Sequence, residues 1–323
     1  MHSNFPTGVP NSRLPRLLML DEERISLDKY GHARGDTEIR ARLEGVVGAF
    51  AAGYNAALAE REGPLDLCRM PQELRGFAYE GAAMSRTLLD LVTCSRGRRL
   101  DDLRTGPGRG YPHLIHVGAG WAYARLRLRP RPSGKDAGGL PRWLAWDGWG
   151  FHNAYFRPGP VYRERRVERA ARGEVRPVRD QGAGRALWFH ACADPERIEQ
   201  IIGRFPGDRR ADLWAGVGLA AAYTGVQPRP VLARLGEASG VHRGHLAQGA
   251  AFAAKAHVLS GEVPGRVGAA VAELCGTTAD TAAEWTDTAL AVASARGGGV
   301  AAYQQWRAGV RRAWQNETGG VRA

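Results

Sequence analysis

A short glycine motif recurs eight times along this chain of 323 residues. Each copy is a glycine, most often preceded by a polar or acidic residue, that opens a run of small residues ending in an aromatic residue in many copies. The first glycines are Gly45, Gly81, Gly118, Gly148, Gly182, Gly216, Gly249 and Gly276. Spacings of 27 to 37 residues are typical of repeat proteins in which each unit is a helix pair. Small residues let two helices approach closely, so the motif predicts tight helix packing.

The two halves of the chain are also similar to each other. Pro71 precedes Gly81 by the same interval as Pro206 precedes Gly216. Chance matches are the alternative explanation, because the chain contains 43 glycines. We predict an all-α protein of tandem helical hairpins of about 34 residues in two similar halves, forming a closed toroid or a compact solenoid.

The predicted order along the chain has five parts. They are an N-terminal extension (1–37), a first repeat half (38–156), a basic connecting loop (157–179), a second repeat half (180–293), and a glycine-rich joint with a C-terminal amphipathic helix (294–323). In that last helix Tyr303, Trp306, Val310 and Trp314 form one apolar stripe. We expect the stripe to pack on the chain's own core.

The net charge of +12 comes almost entirely from arginine. The basic residues concentrate in three stretches, 96–109, 125–142 and 157–179, that are rich in glycine or proline or interrupted by acids. No recognition helix, RNP pattern or zinc finger accompanies them, so we expect surface loops and no nucleic-acid binding. A basic rim can still steer an acidic carrier protein. The sequence has neither a secretory signal nor 18 consecutive apolar residues, which predicts a cytoplasmic protein without a membrane span.

Aromatic residues follow most of the glycine motifs. Helices arranged around one axis would bring these side chains together, either as a packed aromatic core or as the lining of a cavity for a long apolar ligand. Both arrangements remain open at this point. The predicted ligand contacts are Tyr79, Trp121, Tyr123, Trp149, Tyr155, Gln181, Trp188, Trp214, Gln248 and Phe252.

Five segments carry a resemblance to a known family. They are 74–84, 146–156, 180–189, 210–220 and 247–255, within a match that runs from about 38 to 290. The chain resembles an actinobacterial family of unknown function that is encoded beside enediyne polyketide synthases. The resemblance implies a part in enediyne biosynthesis, an apolar polyene-derived substrate, and the synthase or its carrier domain as a partner. It implies no catalytic residues.

Four polar residues near the aromatics are candidates for acid–base chemistry. Asp147 and His152 lie five residues apart, and a carboxylate near an imidazole can orient it and raise its basicity. Burial would raise the pKa of Glu80 and make it an acid. Asp180 could hold a polar part of a substrate. The alternative for these carboxylates is that they cap helices or bridge neighbouring repeats.

The sequence lacks a nucleophile elbow, a P-loop and a His-Glu-x-x-His motif, so we expect no cofactor and no metal. A cofactor-independent cyclase or isomerase fits best. The alternatives are a non-catalytic protein that shields a polyene and a scaffold that couples the synthase to later enzymes.

Overall fold

Thirteen α-helices, and no β-strand, make up the part of the chain that the structure describes, which confirms the predicted all-α class. The computed structural model describes residues 19–21, 25–60, 65–131, 139–226 and 229–319. The helices are α1 (Thr37–Glu60), α2 (Gln72–Val92), α3 (Arg98–Thr105), α4 (Pro112–Arg125), α5 (Leu144–Phe156), α6 (Arg176–His190), α7 (Pro195–Gly203), α8 (Gly207–Thr224), α9 (Arg229–Ser239), α10 (Arg243–Leu259), α11 (Gly265–Cys275), α12 (Ala279–Ser294) and α13 (Val300–Thr318). None of these helices is both long and apolar enough to cross a bilayer.

Local signals in the sequence set several of the helix ends. Asp194 accepts hydrogen bonds from two backbone N–H groups at the start of α7, and Thr278 accepts one at the start of α12. Gly225 and Gly276 end α8 and α11 in the left-handed conformation, with φ of +58° and +75°. The eighth predicted motif, at Gly276, is therefore a helix end and not a close helix contact.

The longer helices pack in the order in which they occur in the sequence. Each of α2, α4, α5, α6 and α8 contacts the helix before it and the helix after it in the series α1, α2, α4, α5, α6, α8, α10. Helices α12 and α13 follow on α10, and the shorter helices lie in the connections. Weaker contacts join α1 to α8 and α4 to α10.

The glycine motifs form the contacts between these neighbours by a single rule. The first glycine of each motif lies against the backbone carbonyl of the residue just before the first glycine of the preceding helix. The pairs are Gly118 on Glu80, Gly148 on Val117, Gly182 on Asp147, Gly216 on Gln181 and Gly249 on Ala215. A Cβ atom at any of these glycines would overlap that carbonyl oxygen. Glycine is therefore required by a backbone-to-backbone approach, as the sequence predicts.

The second glycine of the motif faces the helix that follows. Gly120, Gly150, Gly184 and Gly218 lie against carbonyl oxygens of α5, α6, α8 and α10, respectively. Four successive helices thus contact both neighbours through one Gly-x-Gly pair, at the same level along each helix.

The first predicted motif is placed differently in the structure. Gly45 is exposed and has no atom of another segment near it, whereas Gly53 lies against the carbonyl of Ala78 and Gly81 against that of Phe50. The small-residue contact in α1 therefore begins at Ala51, six residues after the predicted position. Alanine occupies the first small position there, which is why a search for glycine alone misses it.

The C-terminal helix packs as the sequence predicts. Tyr303, Trp306, Val310 and Trp314 are all buried on α13, which contacts α10 and α12. In the predicted basic loop, nine of the 23 residues are exposed, whereas Val161, Tyr162 and Ala171 are buried, and residues 176–179 at its end already belong to α6.

Candidate active site

A narrow cavity lies between α1, α2, α4, α5 and α6. Its lining includes Phe50, Phe77, Trp121, Phe151, Tyr155 and Phe189, together with the polar side chains of Glu80 and Arg185. The centres of water molecules can occupy about 40 Å³ of it, enough for about three water molecules. Of the two arrangements that the sequence left open, the interior is a largely packed aromatic core with a small void.

A second cavity continues on the other side of Arg185. Its lining includes His113, Val117, Asp147, Leu219, Phe252 and Trp306 from five helices, with about 30 Å³ for water centres. Trp306 belongs to α13, and its ring lies 4.8 Å from the ring of Phe252 between centroids. The C-terminal helix therefore supplies part of the wall of this cavity.

Arg185 joins two buried carboxylates between the cavities. Its Nη1 donates to Oδ1 of Asp147 at 2.6 Å, and its Nη2 lies 3.6 Å from Oε2 of Glu80. The guanidinium also lies over the ring of Phe151, 5.0 Å from its centroid. The three charged groups come from α2, α5 and α6, so they form one cluster only when those helices are packed.

Glu80 is the group of this cluster that can exchange a proton near neutral pH. Its carboxyl is 2% exposed, and Oε1 accepts a hydrogen bond from Nε1 of Trp121 at 3.0 Å. The pKa of Glu80 is raised from 4.5 to about 7, chiefly by burial; Arg185 opposes the rise and Asp147 adds to it. The sequence-based expectation of a raised pKa is confirmed. A half-protonated carboxyl in an apolar cavity can donate a proton and take one back.

Asp147 and His152 are not brought together. Asp147 accepts from Nε2 of Gln181 at 2.8 Å and from Arg185, so it bridges α5 to α6. It does not cap α5, since the helix begins three residues earlier. The ring nitrogens of His152 have no hydrogen-bond partner, and its ring packs edge-on against Trp121. Burial lowers the pKa of His152 to about 3. A residue five positions along a helix lies about 140° away, which explains the separation.

Asp180 belongs to a different cluster. Its carboxylate accepts two hydrogen bonds from Arg209 of α8, both at 2.7 Å, and one from Arg179 at 2.9 Å. Arg179 also donates to Glu168. Asp180 therefore bridges α6 and α8, and it does not line either cavity.

The predicted ligand contacts divide according to helix face. Trp121, Tyr155 and Phe252 line the cavities. Gln181 is occupied by Asp147, and Gln248 accepts from Arg311 of α13 at 3.1 Å. The remaining predicted contacts lie away from both cavities; they are Tyr79, Tyr123, Trp149, Trp188 and Trp214.

Helical geometry explains this division. In each motif, one residue comes directly before the first glycine and another comes three positions after that glycine. These two residues are four positions apart, so they lie on the same face of the helix. Glu80 with Met84, and Asp147 with Phe151, are such inward pairs. Trp149, one position after its glycine, is rotated away, and its indole N–H donates to the carbonyl of Leu128.

Arg185 is the functional residue that the sequence analysis missed. It occupies the position three residues after Gly182, where the corresponding residues Trp121 and Phe151 are aromatic. An arginine at a position that is otherwise apolar was the available signal. Phe77, Phe189 and Trp306 were also missed, because their inward direction depends on the register of each helix.

Buried histidines are a further property of this interior. Burial lowers the pKa of seven of them to about 3 or about 4; they are His32, His113, His116, His152, His190, His245 and His257. These rings are neutral at pH 7. Among the described residues, no group of three or more histidine, cysteine or acidic side chains is placed to hold a metal ion.

Most of the sequence matches the model of a known protein family. A family model described as "Protein of unknown function (DUF1702)" matches residues 12–314. The chain belongs to the DUF1702 family. The match takes in every helix that contributes to the two cavities, from α1 to most of α13. No curated protein and no solved structure matches this DUF1702 chain.

Proposed function

We propose that this chain acts in enediyne biosynthesis as a cofactor-independent cyclase or isomerase of a linear polyene. The sequence resemblance supplies the pathway, which the family match by itself does not name. The observation that carries the chemistry is the Glu80 carboxyl, with a pKa of about 7, on the wall of an aromatic cavity.

The proposed reaction begins with proton transfer from Glu80. The π electrons of one double bond form the new C–H bond, and a delocalised cation remains on the polyene. The rings of Trp121 and Phe151 line the cavity and can stabilise this cation. Attack by a second double bond would close a ring. The Glu80 carboxylate then removes a proton from another carbon, so that the product is an isomer of the substrate.

Arg185 and Asp147 have positioning roles in this proposal. Arg185 stabilises the Glu80 carboxylate after the proton has left, and Asp147 holds Arg185 at 2.6 Å. All three groups are buried, and the void beside Glu80 and Arg185 has room for only about three water molecules, so bulk water is largely kept away from these contacts. The void of about 40 Å³ is too small for a polyene, so side chains of the lining must move when the substrate enters.

A non-catalytic protein that shields a polyene is the second candidate. The narrow apolar lining favours it as much as it favours an enzyme. The acid on the cavity wall supports the enzyme, since an apolar ligand gains nothing from a buried carboxyl at that position.

We also propose that the helices close into a ring formed by two similar halves. Supporting closure, Nε of Arg42 in α1 donates to the carbonyl of Thr224 at the end of α8, at 3.0 Å. The repeat is supported by Gly81 and Gly216, because each of them contacts a backbone carbonyl of the preceding helix in the series. Superposition of residues 38–156 on 180–290 should align three helix pairs with these two glycines matched. Placement of these glycines on unrelated helices would contradict the duplication.

The function is tested by deleting the gene in an enediyne producer and identifying the polyenes that accumulate. The wild-type gene and the control Glu284→Gln, at an exposed residue of α12, should restore the product. Glu80→Gln should not restore it, although the protein is folded. Full restoration by Glu80→Gln would favour the non-catalytic role, and unchanged production after deletion would contradict the pathway.

A further inference from the structure

A solvent-open cleft of different chemistry lies beside the first cavity. It is formed by Tyr30 and Gly31, by the turn around Gly159, by the end of α6, and by α7 with the residue that follows it. The centres of water molecules can occupy about 480 Å³ of the cleft, against about 40 Å³ in the first cavity. The cleft therefore has room for a ligand group without any rearrangement.

Three exposed arginines line this cleft, namely Arg163, Arg197 and Arg204, and no acidic side chain lines it. Within the part of the chain that the structure describes, none of the three forms an ion pair. Two nearby acids are engaged elsewhere, since Glu199 pairs with Arg234 of α9 at 3.1 Å and Glu164 pairs with Arg166 at 2.6 Å. Glu196, beside Arg197 on α7, does not line the cleft. The positive charge of the cleft is thus not compensated, as is typical of an anion site.

The guanidinium of one of these arginines lies against the turn that borders the cleft. The guanidinium of Arg163 folds back over Gly159, where an added Cβ would stand 2.8 Å from Nη2. The next side chain, Tyr162, is buried and stacks on His190, with ring centroids 5.0 Å apart. Burial and the nearby Arg197 lower the pKa of His190 to about 4, so the imidazole is a neutral hydrogen-bonding group in the cleft.

Aromatic side chains two rings deep separate the cleft from the apolar cavity. Tyr30 lines the cleft, and its ring centroid lies 4.9 Å from that of Phe156 and 6.0 Å from that of Tyr155. Both of those residues line the first cavity. The basic cleft and the cavity that contains Glu80 are therefore direct neighbours.

We propose that the cleft binds the anionic end of a chain molecule whose apolar part enters the first cavity past Tyr30. The inference rests on the proposed function and adds the ligand class, a linear apolar chain that ends in a carboxylate or a phosphate group. Guanidinium groups bind both anions through paired hydrogen bonds.

The test uses cis-parinaric acid, a fluorescent linear polyene with a carboxylate, and its uncharged methyl ester. The wild-type protein should bind the acid about tenfold more tightly than the ester, and added NaCl should reduce only the affinity for the acid. The double variant Arg163→Gln/Arg197→Gln should lower the affinity for the acid to that for the ester. Arg109→Gln, at an exposed arginine that does not line the cleft, is the matched control and should change neither affinity.

Inorganic phosphate identifies the source of the anion. Displacement of the acid by phosphate would indicate a phosphate ester such as the arm of a carrier protein, and resistance to phosphate would indicate a free carboxylate. Equal affinity of the wild-type protein for acid and ester would overturn the cleft as an anion site and leave the proposed function standing. Failure to bind either probe would overturn both.

Discussion

Removal of the Glu80 carboxyl should change how stability depends on pH. In the folded protein the pKa of Glu80 is about 7, whereas the unfolded chain has the ordinary value of 4.5. Between these values the unfolded chain has released the proton and the folded protein still holds it. Stability due to this group therefore falls as pH rises from about 4.5 to about 7 and is constant above that range.

The size of this effect follows from the two pKa values. Their difference corresponds to about 3 kcal/mol, since one pKa unit is about 1.4 kcal/mol. About 2 kcal/mol of this loss in the free energy of unfolding occurs between pH 5.5 and pH 8.5. Glu80→Gln abolishes this titration. As the pH rises from 5.5 to 8.5, the free energy of unfolding of the variant should therefore increase by about 2 kcal/mol relative to that of the wild-type protein.

Urea unfolding of both proteins at several pH values measures the effect. The difference between the two proteins is the relevant quantity, because all other titrating groups cancel in it. Glu284→Gln serves as the control and should give a difference that is independent of pH. A constant difference for Glu80→Gln would show that this carboxyl titrates normally, and would remove the basis for its role as an acid.

Four further perturbations test the helix packing, the charge cluster and the titration of the histidines. Gly148→Ala places a Cβ on the carbonyl of Val117 and should lower the free energy of unfolding by about 3 kcal/mol or prevent folding. Gly45 has open space around it, so Gly45→Ala should instead stabilise α1 by about 0.5–1 kcal/mol; thermal unfolding measures both effects. Asp147→Asn removes the nearer of the two carboxylates beside the buried charge of Arg185 and leaves Glu80 at 3.6 Å, so it should cost about 3 kcal/mol in urea unfolding; a loss below 1 kcal/mol would refute the bridging role. The seven buried histidines bind protons only in the unfolded chain between about pH 6.5 and 4. Acid unfolding followed by circular dichroism should therefore begin below pH 6, and a protein fully folded at pH 4 would contradict their burial.

The sequence predicts the helices well because their signals are local. Asp194 and Thr278 cap the helices that they precede, and the apolar stripe of α13 is buried. The glycine motif also predicts which backbones come close, because a missing side chain has one direct steric consequence. Gly45 shows the limit of this argument, since alanine can take the same position in α1.

The site was harder to predict because it depends on register and on distant helices. Trp149 and Phe151 differ by two positions, and only one of them faces the cavity. The pairing of Arg185 with Glu80 requires α2 and α6 to lie across the interior from each other, which no spacing within one helix indicates. The cleft beside Tyr30 likewise combines segments that are far apart in the sequence.

The glycine contacts have a consequence for how ligand specificity can change in this architecture. Because backbone atoms set the distance between neighbouring helices, inward side chains are not needed to keep the helices apart. Replacing Met84 or Leu219 with a smaller residue would enlarge one of the two cavities, and every glycine–carbonyl contact would stay in place. Substitutions that change the shape of the interior and substitutions that disturb the spacing of the helices therefore fall on separate sets of positions.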